Sequence, residues 1–159
     1  MIGNIPMQQM ISVLFLCTGN SCRSIMAEAL MNALGEGKFI AFSAGSQPTG
    51  QVHPKALEAL RKNNIILQDP RSKSWNEFTD QEIDVVITVC KNAANEECPA
   101  FPGTPSTLSW FISDPAKATG IEAQVDTAFD EAFLALKEKI ENLIKSYEEN
   151  NQMILKKTG

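Results

Sequence analysis

The 159-residue chain is poor in residues that several common chemistries require. It holds one histidine, His53, which excludes His-rich zinc sites and two-histidine metal centres. Its longest basic runs are the pairs Arg61-Lys62 and Lys156-Lys157, and 19 acidic side chains outnumber 14 basic ones for a net charge of −5. A surface that neutralises phosphates along a nucleic acid needs clustered Lys and Arg, so no nucleic-acid partner is expected. No apolar stretch approaches the ~18–20 residues of a membrane span. The longest comparable run is Val13-Leu-Phe-Leu-Cys17, and the first 22 residues hold no Lys or Arg to start a secretory signal. A cytoplasmic location without a membrane partner follows as the expectation.

What is present suffices for one domain. A chain of this size buries roughly 68–70% of its unfolded surface, and 43% of the residues are hydrophobic. Residues 1–10 lack periodicity and are expected as a mobile leader, 11–149 as a single catalytic domain and 150–159 as a frayed tail, in a monomer. Near-continuous apolar runs at 11–17, 39–43 and 84–89, with a weaker one at 107–112, have the length and character of buried strands. Between them, Met26, Ala29, Leu30, Ala33 and Leu34 follow helical spacing, with Gly35 placed to end that helix. Pro54 opens a second helix that ends at Asn63-Asn64. Val125, Ala128, Phe129, Ala132, Phe133, Leu136, Ile140, Leu143, Ile144 and Tyr147 form the apolar stripe of a last one. Strands alternating with helices predict an α/β fold: a three-layer domain with about four parallel strands, and four to five helices covering both faces. Ligands of such sheets bind beyond the carboxyl ends of the strands, where Cys17, Ser43, Cys90 and Asp114 fall. Trp75 and Trp110 are expected in the core or a pocket wall.

Four cysteines in a cytoplasmic chain point to metal or redox chemistry before structural bridges. Their spacings, C-x4-C and C-x7-C, do not match zinc-knuckle halves, so no metal site is expected. Cys17-Thr18-Gly19-Asn20-Ser21-Cys22-Arg23-Ser24 instead reads as an anion cradle between a strand and a helix. Backbone N–H groups and the helix dipole favour an oxyanion there. Gly19 permits close approach, Asn20 tolerates a left-handed conformation, and Arg23 offers a planar fork for two oxygens. The same field is expected to lower the Cys17 pKa from ~8.5 into the ~3.5–7.5 range, with Ser24 donating to the sulfur. Cys17 is then a nucleophile held beside its substrate, and Cys22 is assigned to the loop's structure. His53 is expected to cap the second helix.

This C-x5-R-S loop, together with Asp114-Pro115, resembles the low-molecular-weight protein tyrosine phosphatase fold. Phe42-Ser-Ala-Gly45, His53-Pro-Lys-Ala56, Val89-Cys-Lys-Asn-Ala-Ala94 and Cys98-Pro99 are similar to segments of the arsenate reductases built on it. The resemblance implies that Cys17 attacks arsenate, Cys90 then attacks Cys17 to release arsenite, and Cys98 moves the disulfide outward to an external thiol. Phosphate and sulfate would compete as oxyanions. Cys90 closes a strand beside the loop, and Cys98 follows a polar segment that reads as a short helix able to unwind. Seven residues separate these two cysteines, one more than expected of thioredoxin-coupled members, so thioredoxin and glutathione with glutaredoxin both stay open as donors.

Asp114 is the general acid in the phosphatases; here it is expected to protonate the departing oxygen or tune the incoming thiol. Pro115 leads into Ala116 where an aromatic pair would grip a phosphotyrosine ring. Asn20, Glu28 and Ser43 match positions that in some relatives hold potassium, and Lys73 stands where a further acidic residue would be. Its ammonium is expected to replace the ion, with a solvated surface charge as the plain alternative. Two other functions remain: a phosphatase using Cys17, Arg23 and Asp114, and a non-enzymatic oxyanion-binding or redox-sensing module.

Overall fold

The computed structural model describes residues 10–90 and 101–158, with side chains through Asn150. In chain order the elements are β1 (Ile11–Cys17), α1 (Arg23–Leu34), β2 (Phe39–Gly45), α2 (Pro54–Lys62), a 3-10 turn Trp75–Phe78, β3 (Val85–Thr88), β4 (Ser106–Ser109), a 3-10 turn Pro115–Lys117 and α3 (Glu122–Thr158). The four strands are parallel in the order β2-β1-β3-β4. The chain leaves β1 toward one side for β2 and crosses to the other for β3, so β1 lies at the switch point where such sheets bind ligands.

The apolar run of β1 is sealed on both faces, with Val13, Leu14, Phe15 and Leu16 fully buried. Alternation divides them: Val13 and Phe15 join a large core built from α1, α2 and α3, whereas Leu14 and Leu16 face a smaller one with Phe78, Ile83, Val86 and Phe101. The three α-helices thus share one face, and among the described residues the 3-10 turn at Trp75–Phe78 helps close the other. The expected helical stripe of α3 is buried, with Phe129 and Phe133 in the centre of the large core. Trp110 packs tilted on Phe15 at 6.0 Å between ring centroids, and Trp75 borders the smaller core.

Three expectations change in detail. The fourth strand is shorter than 107–112, because the chain leaves the ladder after Ser109 to bring Trp110 onto Phe15; Trp110 N–H still donates to Thr88 O at 2.7 Å. Gly35 closes α1 without a left-handed turn (φ −103°), and a Cβ there would stand 2.9 Å from the Phe39 ring. The backbone of α3 stays helical past residue 149, into the stretch expected as a tail, since neither Gly nor Pro occurs from Ile121 to Thr158. No helix of the described residues is long and apolar enough to cross a membrane.

Candidate active site

The loop leaving β1 is bound from outside through its carbonyls. Thr18 O accepts from Gln47 N–H (2.9 Å), Gly19 O from Thr49 N–H and Ser72 Oγ (both 3.0 Å), and Ser21 O from His53 N–H (2.9 Å). A trans peptide directs its N–H opposite to its C=O, so carbonyls tied outward leave amides turned toward the loop's interior. The amino end of α1, starting at Arg23, adds its unpaired N–H groups.

Asn20 turns the loop. It takes a left-handed conformation (φ 47°) and is fully buried. Its Nδ2 donates to Ser24 Oγ at 2.8 Å, and its Oδ1 accepts from Lys73 N–H at 2.8 Å. Gly19 instead serves a close approach: a Cβ there would come 3.2 Å from Thr49 Cγ2.

Gly45, to which sequence reading assigned no role, is the more demanding glycine. It pairs with Cys17 across the sheet, and a Cβ on it would lie 2.4 Å from Thr18 O and 2.8 Å from Cys17 O. A glycine at the end of the strand beside the loop is the signal that marks this contact.

Register brings the second thiol to the first. Leu16 pairs with Thr88 and Leu16 O accepts from Val89 N–H at 2.9 Å, which sets Cys90 level with the start of the loop. Thr18 Oγ1 and Cys90 Sγ are 3.6 Å apart, and Cys90 is the neighbour that acts most strongly on the Cys17 thiol. Both cysteines are buried, and they remain thiols, not a disulfide. Cys98 lies outside the described residues.

The protonation state departs from expectation. Cys90 is the main influence on the Cys17 thiol and pushes its pKa up, burial adds to this, and Arg23 opposes it. The expectation of a lowered pKa is corrected for this arrangement: a second buried sulfur holds the proton, and the Arg23 charge is shared with a carboxylate. Arg23 Nη2 lies 3.5 Å from Asp114 Oδ2, and Nη1 donates to Ile112 O at 2.9 Å. Its buried Nε has no hydrogen-bond partner among the described residues, a donor that an oxyanion would satisfy.

Asp114 caps the second 3-10 turn, with Oδ1 accepting from Ala116 N–H at 3.0 Å and from the Cys22 thiol at 3.8 Å. Burial raises the Cys22 pKa, which keeps it a donor to that carboxylate. His53 caps α2, its Nδ1 accepting from Lys55 N–H at 3.1 Å, as its position before Pro54 predicts.

Beside the loop, Lys73 Nζ lies 3.7 Å from Glu28 Oε1 and 3.4 Å from Ser43 Oγ, and Ser43 Oγ donates to Glu28. The Lys73 side chain is only 10% exposed, so it is not a solvated surface charge. Burial raises the Glu28 pKa and lowers that of Lys73, against their mutual attraction.

A parallel sheet with a cysteine-arginine oxyanion loop at its switch point defines a class, and the sequence comparison agrees. The chain belongs to the low molecular weight phosphotyrosine protein phosphatase family, which it matches over residues 12–153. Within that family it is similar to arsenate reductases. It is 33% identical over 140 residues to the arsenate reductase of Halalkalibacterium halodurans, covering 88% of this chain and 96% of that protein. A solved arsenate reductase in its phosphate-binding state superposes with a TM-score of 0.73 at 31% identity, over 86% of this chain and 98% of that one. The thioredoxin-dependent arsenate reductase of Corynebacterium glutamicum gives 0.70 at 26% identity, over 91% of this chain and 65% of that one.

Proposed function

We propose that the protein is an arsenate reductase that works through a relay of cysteines and draws its electrons from an external thiol. The observation that carries this reading is a second buried, free thiol, Cys90, set by strand register at the start of the Cys17 loop, 3.6 Å from Thr18 Oγ1. Hydrolysis of a cysteinyl phosphate has no use for a second thiol at that place, whereas reduction requires one.

Arsenate enters the loop, where inward amides, the Arg23 fork and its unpartnered Nε hold three oxygens. The Cys17 thiol gives its proton to the Asp114 carboxylate as its sulfur attacks arsenic; an As–O bond breaks, and Asp114 passes that proton to the oxygen that leaves as water. Cys90 then attacks Cys17 sulfur. A Cys17–Cys90 disulfide forms as the S–As bond breaks; the electron pair of that bond stays on arsenic, which takes up the Cys90 proton and departs as arsenite. Cys98 attacks Cys90, so that a Cys90–Cys98 disulfide forms and the released Cys17 sulfur takes up the Cys98 proton to become a thiol again. Two electrons from an external dithiol reset the enzyme. Ser24, which accepts from Asn20, retains its hydroxyl proton for the Cys17 sulfur. Likeness to the Corynebacterium glutamicum protein favours thioredoxin as the donor, with glutathione and glutaredoxin as the competing outcome.

The test is arsenite production with each donor system, beside phosphate-ester hydrolysis, for the parent, Cys90→Ser and Cys98→Ser. Cys90→Ser should lose multiple turnover with both donors. Retained turnover in that variant, or ester hydrolysis without arsenate reduction in the parent, overturns the relay. Mass spectrometry after one turnover identifies the oxidised pair.

A further inference from the structure

We infer that Lys117 is a specificity-determining residue: it stands at the mouth of the oxyanion loop and draws in small, doubly charged anions. This deepens the reductase reading and rests on it for the identity of the substrate.

The mouth is a cavity of about 530 Å³ lined by Arg23, Cys90, Phe111, Ile112, Ser113, Asp114 and Lys117. Of these, only Arg23 and Lys117 are cations, and the Arg23 charge is already met by Asp114 at 3.5 Å. Lys117 forms no ion pair with any described residue, so its charge is uncompensated where an anion would enter.

Its placement follows from the turn. Lys117 N–H donates to Asp114 O at 3.2 Å, closing a 3-10 turn capped by Asp114. Side chains three residues apart eclipse in this geometry, which puts Lys117 on the same face as Asp114, toward the cavity both line. The protein as a whole carries −5 and repels a dianion at long range, so a local cation at the entrance governs capture. The attraction scales with ligand charge, so a dianion gains twice what a monoanion does.

The experiment reads binding and turnover separately. Cys17 alkylation by iodoacetamide, followed by peptide mass spectrometry, is titrated with inorganic phosphate for the parent, Lys117→Gln, Lys117→Arg and Lys145→Gln. Lys145 makes the same charge change near Glu148, which pairs with Lys38 before β2, at the edge of the sheet opposite Cys17. Lys117→Gln should raise the half-protecting phosphate concentration and the arsenate KM about 3- to 10-fold, with kcat within about twofold. Lys117→Arg should restore both, and 0.5 M NaCl should shrink the difference between parent and Lys117→Gln. The inference is overturned by an unshifted Lys117→Gln, by an equal shift in Lys145→Gln, or by a fall in kcat at constant KM. Should the parent reduce no arsenate, the reductase reading fails alone, because phosphate protection still decides the role of Lys117.

Discussion

Cys90 stands beside Cys17 at the base of the oxyanion loop, and its thiol is the leading reason the Cys17 pKa is raised. Cys90→Ala removes that cause and should lower the Cys17 pKa. A lower pKa means more thiolate at pH 7, so iodoacetamide should label Cys17 several-fold faster in the variant than in the parent, with its pH profile moved to lower pH. An unchanged or slower rate would show that Cys90 does not hold the proton.

Asp114 lies 3.5 Å from Arg23 and also supplies the proton for the departing oxygen in the proposed cycle. Asp114→Asn should therefore split the kinetic constants. Loss of the acid lowers kcat by about 10²-fold or more, while removal of the carboxylate releases Arg23 and tightens inhibition by phosphate several-fold. Loss of phosphate affinity together with kcat would instead mean that Asp114 mainly shapes the loop.

Gly45→Ala places a methyl group against backbone oxygen, 2.4 Å from Thr18 O, where no side-chain rotation relieves it. The expected cost is about 1–3 kcal/mol of stability, measured by chemical denaturation, together with weakened phosphate binding. Gly50→Ala, also next to the loop segment but with open space at its Cβ and a positive φ of 84°, tests backbone strain without the collision.

Lys73 occupies the space between Glu28 and Ser43, so the parent should show no saturable stimulation by potassium over sodium. Lys73→Met leaves Glu28 buried without its cation and drives the already raised Glu28 pKa further up. A carboxyl whose folded pKa exceeds its unfolded value of 4.5 penalises the folded state above that folded pKa and ceases to do so below the unfolded one. The destabilisation of Lys73→Met should accordingly be largest near pH 7 and shrink as pH falls toward 4.5, whereas Glu28→Gln/Lys73→Met should show little of it. Denaturation curves at several pH values check both.

Much of the site was legible because it obeys local rules. The apolar run of β1, the left-handed Asn20, the cap at His53 and the Asp114-Pro115 turn each follow from a few adjacent residues. The features that escaped depend on partners distant in the chain. The state of the Cys17 thiol is set by Cys90 on another strand, and the Arg23 charge is shared with Asp114 after the last strand. Gly45 matters only because the Thr18 carbonyl lies over it, whereas the place of Lys73 beside Glu28 and Ser43 follows from resemblance and not from any local pattern. Composition and spacing carry no record of such encounters; they appear once the strands are in register.

The outward hydrogen bonds of the loop come from Gln47, Thr49, His53 and Ser72, all in the first half of the chain, whereas Cys90, Asp114 and Lys117 all lie beyond β3. The loop is thus tied down by the first half of the chain, while its second thiol, its acid and its entrance cation come from the later portion. In the proposed cycle, loosening of the later portion would leave the loop formed but without its second thiol, its acid and its entrance cation. In that reading, substitutions beyond β3 can retune the later steps of the cycle while the hydrogen bonds that shape the loop stay in place.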